Sequence, residues 1–439
     1  MNSARVFQPK LFSILKNYSV AQFQADCASG IIVGILALPL AIAFAIASGV
    51  SPDKGLVTAI VAGFLISLLG GSRVQIGGPT GAFVVIVYSI VQQFGMDGLV
   101  VATMMAGVIM IAMGISRMGG VMKFIPYPLT VGFTSGIALI IFSSQIKDLF
   151  GLPIADVPAD FLEKWQVFFE YRHSLNLYAV LLGFSTLVLI LFWQKYIKVI
   201  PGAVAALIAG TVIVHFFQLP VETIHSRFGQ IPNHLPLPQF PSFSFARMTQ
   251  LIPAAFTIAM LGSIESLLSA VVADGMIGGK HRSNTELIAQ GIANIASALF
   301  GGIPATGAIA RTAANVHNGG RTPVSGIVHA LTLFVIMIFC GRWAAYVPLS
   351  VLAGILILVA YHMSEWKSFL MILKAPKSDV AVLLVTFFLT VITDLTVAIQ
   401  VGMILASFLF MRRLAMTANI NMITNEFTDE EDRDDPLAI

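Results

Sequence analysis

Long apolar runs, nearly all free of charge, separated by short polar breaks dominate this chain. They cover 28–50, 55–72, 74–94, 99–116, 124–146, 174–194 and 199–221. A polar, proline-rich stretch over 222–247 follows, and then a second set at 248–273, 286–300, 304–316, 322–341, 343–364, 380–393 and 395–411. A helix of about 20 apolar residues crosses a bilayer. The pattern predicts an all-α polytopic membrane protein with fourteen transmembrane segments. The third and tenth runs carry GGP and GGIP near their starts. Such strings unwind a helix, so these two segments are expected to contain half-helices.

Composition agrees with the pattern. Only 11% of the 439 residues are charged and 57% are hydrophobic, with a mean hydropathy of +0.88, whereas an ordinary soluble domain carries about 25% charge. A soluble globule is excluded. Cys27 and Cys340 are too few for a disulfide scaffold or a multi-cysteine metal site. HExxH, CxxC, GxxxxGK[ST] and GxSxG are all missing, which removes the usual sequence basis of membrane enzymes and ATP-driven pumps. His215, His317, His329 and His362 have no ligand-set spacing and read as packing residues. No metal, cofactor or nucleic-acid partner is expected.

The net charge of +3 gains meaning only when the charges are placed by side. Alternating from an N-terminus set inside puts 17 basic residues on the inner side. Seven fall outside: Lys54, Lys147, Lys164, Arg172, Arg227, Arg247 and Arg342. This bias supports fourteen segments with both termini cytoplasmic. The N-terminus lacks the apolar core and cleavage site of a removable signal, and the first span is expected to direct insertion.

The two halves resemble each other at a nearly fixed offset. GGPTGA at 77–82 matches GGIPATGA at 301–308, Pro126 and Gly132 match Pro348 and Gly354, and Gly49 matches Gly275. Halves with an odd number of crossings have opposite orientations. Such a 7+7 inverted repeat is a mark of secondary transporters, whose substrate sites lie at the repeat interface. The competing reading is chance similarity of glycine-rich apolar sequence.

If the repeat holds, the positive ends of the two half-helices, at Thr80-Gly81-Ala82 and Thr306-Gly307-Ala308, converge on one point. Unpaired amides and helix dipoles there favour an anion, and the small Gly81, Ala82, Gly307 and Ala308 let a ligand approach the backbone. Small residues also serve close helix packing, which is the simpler alternative. Glu265 and Arg311 are the two ionisable residues well inside the runs. A charge at such depth costs roughly 2.5–3.5 kcal/mol even on the gentler insertion scale. Arg311 would grip the anion in bidentate fashion; Glu265 would carry a proton or bind a coupling cation. A static Glu265–Arg311 ion pair is the alternative.

The strings ALPLAIAFAIASG at 37–49, GGSRVQIGGPTGAFVVIVY at 70–88, GSIESLLSAVVADGMIGGKHRSN at 262–284 and GGIPATGAIARTAANVHNGGRTP at 301–323 resemble the sulfate permease (SulP) family of anion transporters. Prestin and the animal multifunctional anion exchangers belong to it too, and its bacterial C4-dicarboxylate, sulfate and bicarbonate members look similar over these strings. The resemblance implies a core domain (segments one to four and eight to eleven) and a gate domain (five to seven and twelve to fourteen). It also implies an elevator movement of one against the other, a homodimer, and a location in the bacterial inner membrane. It carries site positions onto Phe44, Thr80, Glu265 and the stretch from Ala308 through Ala310 to Arg311. Ala310 and Leu40 stand where many relatives have polar residues, which fits a less polar site.

The domain organisation expected is an N-terminal cytoplasmic segment 1–26, a transporter domain 27–414 with repeats at about 27–221 and 248–414, and an acidic linker 415–439. In the family a STAS domain normally follows, and truncation before it is the favoured reading here. The function expected is secondary-active symport of a small inorganic or carboxylate anion with H⁺ or Na⁺. An anion channel or exchanger on the same scaffold is the alternative. A nucleobase permease would be expected to carry an acidic residue where Arg311 stands, and a voltage-driven motor would need charge movement that sequence does not reveal.

Overall fold

The structure is a computed structural model and describes residues 7–15, 18–120, 126–154, 157–158, 160–196, 201–241 and 245–393, together with 397, 398, 401, 402, 404, 405 and 408. The first half contains α1 (Lys10–Ile14), α2 (Val20–Ala47), α3 (Pro52–Leu69), β1 (Gly77–Gly78), a 3₁₀ turn (Gly81–Phe83), α4 (Val84–Ile115), α5 (Tyr127–Ser144), α6 (Ile146–Phe150), α7 (Phe161–Glu170), α8 (Leu177–Tyr196), α9 (Gly202–Phe217) and α10 (Ile224–Phe228). The second contains α11 (Phe245–Ile277), α12 (Ser283–Leu299), β2 (Thr306–Gly307), α13 (Ile309–His317), α14 (Pro323–Ala344), α15 (Leu349–Met363), α16 (Trp366–Ile372) and α17 (Lys377–Ile392).

Each apolar run up to the thirteenth coincides with a helix or with a strand, turn and helix. The run 395–411 and the tail 415–439 lie wholly or largely outside the described residues. Helix α2 begins at Val20, so the expected boundary at residue 26 falls inside it. Among the described residues seven helical stretches are long and apolar enough to cross a membrane by themselves, or eight if α7, its 3₁₀ continuation and α8 count as one bent span. The count differs from fourteen for local reasons. The expected third and fourth segments run together in α4 with a break at Gly95, whose φ of 69° and ψ of −174° leave the helical region. Helix α13 has nine residues because the extended strand β2 precedes it.

Local signals set the other boundaries. Ser19 caps α2 by accepting from Gln22 N, and α14 starts with Thr322 as cap and Pro323 in the first turn. The Asp26 carboxylate is fully buried and accepts from Arg321 N at 2.8 Å, Thr322 N at 3.2 Å and Thr322 Oγ1 at 2.5 Å, which ties α2 to the start of α14. Tyr18 also donates to it at 2.9 Å, and burial together with that bond pushes the phenol up to about 12.

The helices pack in two groups. In one, α2 packs on α14 and α11 on α4; α3 packs on α14 and α12 on α4; α3 and α12 meet each other. In the other, α5 packs on α17 and α8 on α15, while α5 and α15 meet each other. Exchanging each segment for its counterpart in the other half exchanges these pairings. Close approach in the first group rests on small residues. A Cβ built on Gly107 of α4 would lie 2.6 Å from the Gly291 carbonyl oxygen of α12, and one on Gly291 would lie 2.5 Å from the Gly107 carbonyl oxygen. Gly107→Ala is therefore expected to destabilise the protein by about 1–3 kcal/mol, since overpacking against backbone outweighs alanine's helix propensity. A melting temperature in detergent that equals the wild type would refute this packing.

Candidate functional site

The two Gly-Gly segments meet at the centre of the first group. Strands β1 and β2 pair antiparallel with Gly77 opposite Gly307 and Gly78 opposite Thr306. Ala308 N donates to Ile76 O at 2.8 Å, and Ile76 N donates to Thr312 Oγ1 at 3.0 Å, so the chain before α4 is lashed to the first turn of α13. This crossing corrects one expectation: Thr306 and Gly307 belong to a strand, and the second helix starts at Ile309 with Ala308 as its cap. A two-residue strand satisfies backbone groups that would otherwise be unpaired in a dry core. The amides left over are those of the first turn of α13, which have no acceptor within the helix.

Arg311 lies on that first turn and is 2% exposed. Its Nη2 donates to Pro79 O, while Nη1 is buried with no partner among the described residues. The guanidinium lies close against Gly78: a Cβ there would lie 2.6 Å from Nη1, and the φ of +150° disfavours a side chain in any case. Gly78 is thus required by Arg311 and by its own backbone. Glu265, midway along α11, is partly buried and accepts from Thr80 Oγ1 at 2.9 Å. No Glu265–Arg311 ion pair forms within 4 Å among the described residues, so the static-pair alternative does not hold in this structure.

The remaining expected site residues divide by surroundings. Phe44 and Ala82 are buried in the large apolar cluster. Thr80 is half-buried, and Ala310 is exposed in the first turn of α13. Gly81 faces the second group of helices, where a Cβ would meet Met363 Sδ at 2.6 Å and Ile141 Cδ1 at 3.1 Å. Gly307 opens onto nothing: it pairs with Gly77, and the Gln75 side chain covers its α-carbon.

Sequence reasoning missed the brace behind this crossing. Glu286, read as the edge of the ninth run, is fully buried. It accepts from Gly71 N at 2.8 Å, Ser72 N at 3.2 Å, Ser266 Oγ at 3.1 Å and Gln290 Nε2 at 2.9 Å. Ser266 in turn accepts from Gln75 Nε2 at 2.8 Å. Asn315 ties the same loop to the two neighbouring helices through Val74 O and Ser325 Oγ, both at 2.8 Å, while accepting from Ser29. His329, taken for a packing residue, is fully buried with neither ring nitrogen partnered among the described residues. These polar residues looked like ordinary helix-flank residues because only the fold turns the flanks inward.

Among the described residues, a cation with a spare N–H is held at the start of a helix where two broken segments cross, an arrangement whose charge and dipole attract an anion. The sulfate permease family model matches residues 23–386. YvdB of Bacillus subtilis, provisionally named a sulfate transporter, is 46% identical over 92% of this chain and 77% of its own length. Bicarbonate transporter BicA of Picosynechococcus is 33% identical over 95% of this chain and 74% of its own length. The solved transmembrane domain of a cyanobacterial BicA superposes with a TM-score of 0.78 at 32% identity, covering 87% of this chain and 98% of that one. SLC26A9 shares the fold, with a TM-score of 0.82 at 18% identity. On the motifs, the fold and the extent of these matches, the chain belongs to the sulfate permease family of membrane anion transporters.

Proposed function

We propose that the protein is a secondary-active transporter of a small inorganic or carboxylate anion, in the sulfate, bicarbonate or dicarboxylate class, driven by H⁺ or Na⁺. The observation that carries the reading is the buried, half-partnered Arg311 guanidinium at the first turn of α13. A buried cation with an unused donor is costly unless an anion completes it, and the helix dipole favours the same occupant. Thr80 and the amides at Gly81 and Ala82 would face the anion from the other segment, with Phe44 and Ala308 as apolar walls and Ala310 at the entrance. Glu265, hydrogen-bonded to Thr80, would respond to the coupling cation and pass its charge state to the anion site through that hydroxyl.

The exchange of packing partners between the halves supports an inverted repeat. The two helix groups would then be core and gate, moving past one another as an elevator. Assembly as a homodimer in the plasma membrane with both termini cytoplasmic completes the reading. The names of the relatives favour sulfate or bicarbonate as cargo.

The test is uptake of radiolabelled sulfate, bicarbonate and succinate into proteoliposomes under an imposed pH or Na⁺ gradient. Saturable accumulation of at least one anion, lost when the gradient is dissipated, is expected. Non-saturating flux with unitary conductance in planar bilayers would overturn the coupled mechanism in favour of a channel.

A further inference from the structure

Away from Arg311, a cavity of about 490 Å³ opens between α4 and the loop helices α6, α7 and α10. Charge alternation along the spans assigns this mouth to the outer side, where basic residues are scarce. Three of the seven expected there, Lys147, Lys164 and Arg227, nevertheless line this one cavity. The carboxylates in it are already engaged. Asp148 pairs with Arg227 at 2.6 Å. Asp160 caps α7 by accepting from Leu162 N at 2.9 Å and Glu163 N at 3.2 Å.

Lys164 is different. It is only 4% exposed, and its ammonium sits 5.7 Å from the centroid of the Tyr88 ring on α4. No carboxylate lies within ion-pair distance of it among the described residues. Helix α7 lies between the apolar runs 124–146 and 174–194 and is bent by 120° from α8. Burial pushes the Lys164 ammonium below its ordinary value, with Asp160 pulling the other way. A desolvated cation facing a polar cavity is completed by an anion, and Ser89, Gln92 and Gln145 supply hydrogen-bonding walls. The cavity floor reaches Val84 and Val85, directly after the 3₁₀ turn that begins at Gly81.

We propose that this cavity is a second anion site, an outer capture site in which Lys164 holds the cargo anion before it reaches Arg311. The proposal rests on the transporter reading above. A merely structural lysine, bracing α7 against Tyr88, would change stability or the saturated rate; a capture site changes the concentration dependence of uptake from outside.

The experiment uses intact cells expressing the full chain, with radiolabelled sulfate, bicarbonate and succinate supplied outside. In parallel, the fluorescence of Trp165, adjacent to Lys164 and donating to Ser143 Oγ at 3.2 Å, is titrated in purified protein with the same three anions, using Trp165→Phe to assign the signal. Lys164→Gln is expected to raise the half-saturating concentration about five- to tenfold, as for loss of one partly buried charge contact, with the saturated rate within about twofold. Lys164→Arg should restore it. The Trp165 response should survive Arg311→Ala and disappear in Lys164→Gln. Uptake with unchanged half-saturation in Lys164→Gln, or a reduced saturated rate alone, overturns the capture site and spares the transporter. A Trp165 response that requires Lys164, without uptake of any of the three anions, upholds anion binding at Lys164 and overturns the transporter reading together with the capture role that rests on it. Absence of both responses overturns both.

Discussion

Arg311→Ala is expected to abolish concentrative anion uptake and to weaken anion binding by about 10- to 100-fold, the equivalent of losing one or two charge-assisted hydrogen bonds of about 1.5–3 kcal/mol in total. The size of the effect follows from the dryness of the site. The guanidinium is 2% exposed, so little water is at hand to take over the donor that Nη1 offers. The substitution also leaves Pro79 O without the Nη2 bond, at a cost of about 1–3 kcal/mol in stability. A fold-specific control is therefore needed. Arg311→Lys supplies it: a point charge remains while the planar fork is lost, and binding is expected to fall about tenfold. Thermal shift with sulfate, bicarbonate and succinate, read beside uptake, checks both variants. Arg311→Ala protein that melts normally and transports with unchanged affinity would disprove the assignment of the anion to this arginine.

Much of this arrangement was legible before any coordinates. The runs marked the helices because apolar length is a coarse property that tertiary context does not overturn in a membrane. GGPTGA and GGIPATGA marked the breaks because consecutive glycines beside proline have one economical use inside an apolar run. Arg311 and Glu265 stood out because charge at that depth is rare. The pairing of Gly77 and Gly78 with Gly307 and Thr306 was not legible, since strands of two residues have no period to detect. Helix α7 was missed for a related reason: FLEKWQVFFE is too mixed for a span and lies between long runs that draw attention.

Glu286 and His329 show a different limit. Glu286 sits in the polar string KHRSNTE, where a carboxylate looks solvated. The fold brings the loop before β1 over it, and two backbone amides, Ser266 and Gln290 fill its acceptor sites. A charge so fully hydrogen-bonded is a structural anchor. Arg311 has a donor to spare instead. This contrast separates scaffold from proposed site more sharply than burial does, because both residues are buried.

Glu265→Gln should uncouple transport while sparing the site. Glutamine keeps the length and an acceptor oxygen, so the bond from Thr80 Oγ1, 2.9 Å in the wild type, persists. The carboxylate proposed to respond to the driving ion is gone. The carboxylate makes no ion pair within 4 Å among the described residues, so the fold should tolerate its replacement. Accumulation driven by a pH or Na⁺ gradient is then expected to fall about tenfold or more, while counterflow of the same anion stays within about threefold, because exchange needs the binding site and its movement but no net cation transfer. Measuring both in one batch of vesicles separates the outcomes. Unchanged accumulation would remove Glu265 from the coupling step. Loss of counterflow along with accumulation would make its hydrogen bond to Thr80 a structural strut, and the coupling group would have to be sought elsewhere in the crossing.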